Sequence, residues 1–139
     1  MVSSKTNQYN LNQILASIGF FTKYLSIWQK ELGDEFFTRD HFLVFLECCR
    51  SHWEKKNFTI SDAVRTMPII APAVARTRIE EAEKGGYIRI IPSETDARTK
   101  LVLPTELLEE KVINSLGRAI DLFRDTLSDI SAQGPLPRE

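Results

Sequence analysis

Three side chains able to ligate a metal line one helical stripe within a short stretch of the 139-residue chain: His41, Cys48 and His52. Their steps of seven and four place them within about 40° of one another around a helix. Imidazole and thiolate at this spacing are ligands suited to zinc, although a closed site needs a fourth ligand that the sequence does not nominate. The adjacent pair Cys48 and Cys49 offers thiol oxidation instead, but no basic neighbour stands ready to lower the pKa of either. The plain alternative is a half-buried helix face with no chemistry. No cofactor is called for.

A second chemistry resides in residues 87–104, YIRIIPSETDARTKLVLP. Two runs rich in Ile, Leu and Val flank a charged middle with Asp96 and Arg98 near its tip. Without an Asn-Gly or Asp-Gly pair the connection is an open loop rather than a minimal hairpin. A lone two-stranded ribbon is marginal in water, so other elements must cover its apolar face. Left exposed, the Asp96–Arg98 pair is worth under about 1 kcal/mol to the fold. Enzymatic chemistry finds no support: the chain has no Gly-rich phosphate loop, no nucleophile elbow and no carboxylate pair on a rigid element.

Apolar residues make up 42% and charged residues 27%, as in a soluble globular protein, and the formal net charge is -1. That charge is uneven. Residues 50–104 carry ten Lys/Arg against seven acids, a net of +3, which leaves -4 for the flanks. A basic centre between acidic ends is a local footprint for an anionic partner. The two adjacent cysteines imply no disulfide framework and suit a reducing, cytoplasmic setting. The start lacks a signal-peptide pattern, and the apolar run from Ile14 to Phe21 is too short to span a bilayer, so no membrane partner is expected.

Helical spacing dominates the first half. Leu11, Ile14, Leu15, Ile18, Phe21, Leu25, Trp28 and Leu32 form one stripe ending near Gly33, and Phe20, Tyr24 and Ile27 form a second line on the same helix. Two faces call for two neighbours. A second helix from Asp40 is expected to place Phe42, Phe45, Leu46, Cys49 and Trp53 on one side. Ser61 is read as the cap of a brief third helix with Ala63, Val64 and Met67, stopped at Pro68. The fourth helix opens at Pro72 and ends at Gly85-Gly86, with Val74, Ile79 and Ala82 inward and Ala73, Arg76, Thr77 and Glu80 outward. After the ribbon, Thr105 caps a last helix to about Ser131. Its seam is Ile113, Leu116, Ile120, Phe123, Leu127 and Ile130.

Two helices joined by a tight turn and followed by a ribbon make a winged helix-turn-helix, in which the second helix of the pair enters the major groove. The segment from about Phe58 to Thr105 resembles the multiple-antibiotic-resistance regulator (MarR) family of bacterial transcription factors. The resemblance is carried by APAVARTRIEEAEKGGYIRI, with its Glu-x-x-Gly from Glu83 to Gly86, and by TDARTKLVLPT, with its Asp-x-Arg at Asp96 and Arg98. It implies that Arg98 reads the minor groove, that Asp96 braces it, and that Ala73, Arg76 and Thr77 face the major groove. Arg78, Arg89 and Lys100 complete the candidate DNA-binding set. It further implies a dimer built from interleaved terminal helices, and a small-molecule effector cleft for which Phe20, Tyr24, Trp28, Phe42 and Phe45 are candidates. The plain reading of those rings is packed core.

The expectation is therefore a mostly α (α+β) winged helix-turn-helix protein with long N- and C-terminal dimerisation helices. Residues 1–36 and 105–131 form the dimerisation helices, 37–104 the DNA-binding domain, and 132–139 a loose tail. Its partners would be double-stranded DNA, a second copy of itself and a small-molecule effector. The competing reading is a winged-helix module that binds protein, favoured by the neutral net charge, Ala97, and Glu80 and Glu81 on the recognition helix.

Overall fold

The structure is a computed structural model that describes residues 8–137. Its elements run α1 (Leu11–Phe36), α2 (Arg39–Trp53), α3 (Ile60–Arg65), α4 (Pro72–Lys84), β1 (Ile88–Pro92), β2 (Lys100–Pro104) and α5 (Glu106–Ala132). This is the mostly helical fold with one small ribbon that the residue pattern calls for. No described helix is long and apolar enough to cross a membrane. The chain divides into two compact units, Met1–Lys30 with Ser115–Glu139, and Glu31–Asn114. The division falls inside α1 and α5 rather than at their ends, because Leu32, Phe36, Leu108 and Val112 are buried with the winged unit.

In the first unit, Phe20 stacks on Tyr24 at 5.5 Å and meets Phe123 at 4.4 Å. The second aromatic line of α1 is thus the one that turns inward. Leu11, Ile14, Leu15, Ile18, Phe21 and Leu25 stay exposed, as do Ile120, Phe123 and Leu127 of the α5 seam. The start of the segment expected to be loose is held in place. Asn10 Nδ2 donates to the Gln133 carbonyl at 2.8 Å, and the buried Gln13 Nε2 donates to the carbonyls of Ile130 and Gly134 at 3.2 and 3.0 Å. Residues 1–7 and 138–139, at the ends of the expected dimerisation helix and tail, lie outside the described residues.

The second unit, Glu31–Asn114, is the winged module. Gly33, at φ 75° and ψ 173°, takes the one non-helical conformation within α1, in the positive-φ region that favours glycine. The buried side of α2 is His41, Val44, Phe45, Cys48 and Cys49. It is rotated by about one residue from the expected side, since Phe42 is half-buried and Trp53 exposed. Aromatic neighbours set this rotation: Phe36 meets His41 and Tyr87, and Tyr87 meets Phe45 at 5.2 Å. Thr59, not Ser61, caps α3. Its hydroxyl accepts from Asp62 N at 3.1 Å while its own N–H donates to Asp62 Oδ2 at 2.9 Å, a reciprocal capping box.

On α4 the inward residues are Ala75, Ile79 and Ala82. Val74 is 41% exposed, so a methyl group takes the inward place expected for it and lets α4 sit close to its neighbours. Gly85 and Gly86 serve different needs. Gly86 has φ 82°, whereas a Cβ on Gly85 would lie 2.5 Å from the Phe36 ring. Thr105 closes the module: its hydroxyl donates to the Gly86 carbonyl at 2.7 Å and accepts from Leu108 N at 3.3 Å at the start of α5.

β1 and β2 pair antiparallel, Ile88 with Pro104 through Pro92 with Lys100. Ile88 and Val102 are buried on the face turned to the helices. Both edges of the ribbon are tied down. Val102 N donates to the Phe58 carbonyl at 2.7 Å beside a Thr59–Leu101 bridge, and Ile90 N donates to Glu83 Oε2 at 3.0 Å.

Two outcomes follow from these contacts. Removing the Glu83 acceptor should free the ribbon edge, so Glu83→Ala should lower stability by about 1 kcal/mol and speed exchange of the Ile90 amide; unchanged exchange at Ile90 would contradict that role. Burial pushes the His41 imidazole below its ordinary pKa, against an opposing pull from Glu81. The unfolded chain therefore takes up this proton first, and stability should fall as pH drops below about 6.5. The urea midpoint should decline from pH 7.5 to 5.5, and His41→Gln should decline less; equal slopes would exclude His41 as the source.

Candidate nucleic-acid interface

The winged unit gathers positive charge at one concavity. A groove of about 520 Å³ is lined by Thr59, Ile60 and Ser61 at the start of α3, by Arg76, Ile79 and Glu80 of α4, and by Ile90, Arg98, Thr99 and Lys100 of the ribbon. Three of the sequence-derived cations, Arg76, Arg98 and Lys100, thus share one wall system despite lying up to 24 positions apart in the chain. Among the described residues, neither Arg76 nor Lys100 forms an ion pair. Glu80 is the one acid in the lining.

The ribbon tip is organised by Asp96. One carboxylate oxygen accepts from Arg98 N at 3.0 Å and lies 3.4 Å from Arg98 Nε, while the other accepts from the Thr99 hydroxyl at 3.3 Å. Thr99 N also donates to the Asp96 carbonyl at 2.9 Å, and Ser93 N to the Thr99 carbonyl at 2.8 Å. Aspartate favours this arrangement because its short side chain can accept from the backbone two residues on. The Arg98 side chain is 94% exposed. Its partner therefore holds the loop more than it quenches the charge, since an ion pair this exposed is weak.

The remaining candidates divide by geometry. Ala73 and Thr77 are exposed on the outer side of α4 with Arg76. Arg78 is half-buried on the flank of α4 and pairs with Glu81 at 2.9 Å. Arg89 alternates with Ile90 along β1 and pairs with Leu103, so it stands on the opposite ribbon face from Ile90 and Lys100. Thr59, Ser61 and Thr99 line the groove without having been among the candidate DNA-binding residues. The Thr59-x-x-Asp62 capping box was the available signal for the first of these.

The thiol and imidazole stripe does not assemble. His41 and Cys48 are buried, and the His41 ring shares a hydrogen bond of 2.9 Å with the Thr38 hydroxyl. His52 is exposed and lies 3.7 Å from Glu109. Among the described residues no three His, Cys, Asp or Glu side chains are grouped to hold a metal. Burial raises both thiols, Cys49 to about 12 and Cys48 further, which disfavours the reactive thiolate. The aromatic candidates fall into separate clusters. Phe20, Tyr24 and Trp28 belong to the first unit; in the second, Phe45 lies in the core with Phe36 and Tyr87, while Phe42 pairs with Phe37 at 5.8 Å.

No protein-family model matches the chain, and no curated protein matches it in sequence. Solved structures do. The heme sensor PefR from Streptococcus agalactiae, in complex with heme, is 25% identical at a TM-score of 0.53, over 84% of this chain and 77% of that one. BpsR from Bordetella bronchiseptica, described for regulation of its DNA binding by 6-hydroxynicotinic acid, is 20% identical at a TM-score of 0.51, over 84% and 79%. A MarR-like transcription regulator from Bacillus cereus is 17% identical at a TM-score of 0.53, over 83% and 80%. The three are named as a heme sensor, a protein whose DNA binding is regulated, and a transcription regulator. The chain has the winged-helix architecture of MarR-like transcription regulators.

Proposed function

We propose that the protein is a homodimeric, cytoplasmic transcription regulator that binds double-stranded DNA, with α4 in the major groove and the ribbon tip in the adjacent minor groove. The observation that carries this reading is the groove where Arg76, Arg98 and Lys100 converge beside the exposed face of α4. An exposed guanidinium on a braced loop suits a narrow A·T-rich minor groove, where negative potential is concentrated. A helix arginine can read guanine edges directly. The similar structures named for heme and for 6-hydroxynicotinic acid support a small-molecule effector as a further partner.

Dimerisation is part of the proposal because apolar residues stay exposed along the length of both helices, Leu15, Ile18, Phe21 and Leu25 on α1 and Ile120, Phe123 and Leu127 on α5. α5 has 27 residues, about 40 Å at 1.5 Å per residue. Large exposed apolar patches mark association faces. A second copy is the natural occupant, since a closed two-fold dimer presents the same residues from both chains.

Arg98→Ala should weaken specific binding by about 1–3 kcal/mol per half-site and make the salt dependence shallower by roughly one unit of slope for each phosphate that the guanidinium neutralises. A salt titration of binding, with circular dichroism to confirm the fold, measures both. Unchanged affinity and slope would remove the wing from the interface and favour the protein-binding module, a reading to which Glu80 in the groove lends itself. Ile120 is 65% exposed in the single chain. Ile120→Asp should therefore release monomers in sedimentation experiments; a wild type that sediments as a monomer at micromolar concentration would contradict the dimer.

A further inference from the structure

The outward strip on the first two turns of α4 is poor in hydrogen-bond donors. At about 100° per residue, Ala73 and Thr77 stand at its middle, with Arg76 to one side and Val74 to the other. All four are exposed. Arg76 is the member that borders the ribbon groove. No Asn, Gln or Lys occurs from Ile69 to Thr77. The one hydroxyl is already engaged, because Thr77 Oγ1 donates to the Ala73 carbonyl one turn back at 3.2 Å. With that proton committed, the middle of the strip offers a ligand no side-chain donor, only the Thr77 oxygen as an acceptor and the methyl groups of Ala73, Val74 and Thr77.

The major groove presents one apolar feature of matching kind, the C5 methyl of thymine. Resting on the reading that α4 enters that groove, we propose that Ala73, Val74 and Thr77 specify thymine through methyl contacts, and that hydrogen-bonded base reading by this strip is confined to Arg76 at its ribbon-side edge. Each half-site then carries thymine under the middle of the helix and guanine toward the wing. Apolar contact of this type discriminates modestly per base, so specificity is spread over several positions rather than concentrated in one amide–adenine pair.

The test begins with the full-length protein and the duplex it prefers from a random pool. Replacing thymines one at a time with deoxyuridine deletes only the C5 methyl. One or two such replacements per half-site should weaken binding about fourfold each, the effect of one buried methyl group. Thr77→Ser should erase the penalty at one of these positions, whereas Thr77→Val, which keeps a methyl there, should retain it. Val74→Ala, at an exposed position, provides a second variant whose folding is not in question. Retained binding with no preference for thymine over deoxyuridine at any position overturns this inference and leaves the DNA-binding reading standing. So does a loss of binding in Thr77→Val without any deoxyuridine effect, which would mean that the hydroxyl reads the base. A pool that enriches no sequence overturns the underlying reading, and this inference with it.

Discussion

The hydrogen bond from Val102 N to the Phe58 carbonyl, 2.7 Å long, is the contact on which the winged unit depends. It joins the second strand to the two residues that lead into α3, and the adjacent Thr59–Leu101 bridge extends the pairing. Thr59 then turns from ribbon partner to helix cap within one residue. The same strand lies against α2, where Cys48 Sγ stands 3.7 Å from the Val102 carbonyl. With Glu83 holding the other strand, a ribbon that would be marginal alone is fixed from both edges. Wing tip, α3 start and α4 face therefore keep a set spacing before any ligand arrives, and preorganisation of this sort lowers the ordering cost of binding.

Charge is distributed to the same end. Asp96 directs its acceptors chiefly to the backbone and hydroxyl of its own loop, which shapes the tip while leaving the Arg98 guanidinium in water. A weak, exposed partner is readily exchanged for a phosphate. Arg78, by contrast, is engaged with Glu81 beside the core. The thiols contribute packing rather than reactivity, since burial keeps them protonated. In the other unit, Gln13 plays the structural part that a hydrophobic side chain could not: it donates to the Ile130 carbonyl in the last turn of α5 and to the Gly134 carbonyl just beyond it.

Much of this was legible in the residues. Helix count and order, the two glycines after α4, Thr105 at the start of α5 and the long open loop between the strands all follow from local chemistry that acts within a few positions. The misreadings arose where distant neighbours decide. Hydrophobicity favours Phe42 and Trp53 alongside Phe45 for the buried side of α2, but Phe36 and Tyr87 stand where they take up His41 with Phe45 instead of those two. Val74 is the more apolar residue, yet close helix approach selects Ala75. Ser61 and Thr59 are both able caps, and only the reciprocal bond with Asp62 separates them. The candidate interface was readable to the same degree. Arg76, Arg98 and Lys100 converge because ribbon and helix are tied together, while strand alternation sends Arg89 to the other face. The Phe58–Val102 link carries no periodic signal in the sequence.

The central claim, that the outer face of α4 and the ribbon tip form one preorganised DNA-reading surface, is tested most directly by backbone amide exchange with and without a bound duplex. Slowing should be concentrated at residues 72–77 and 93–100, together in one complex, and the shallow groove lined by Leu43, Glu47 and Arg65 should be unaffected. Protection centred on that second groove, or a bound duplex that leaves both α4 and the ribbon tip unchanged, would contradict the account.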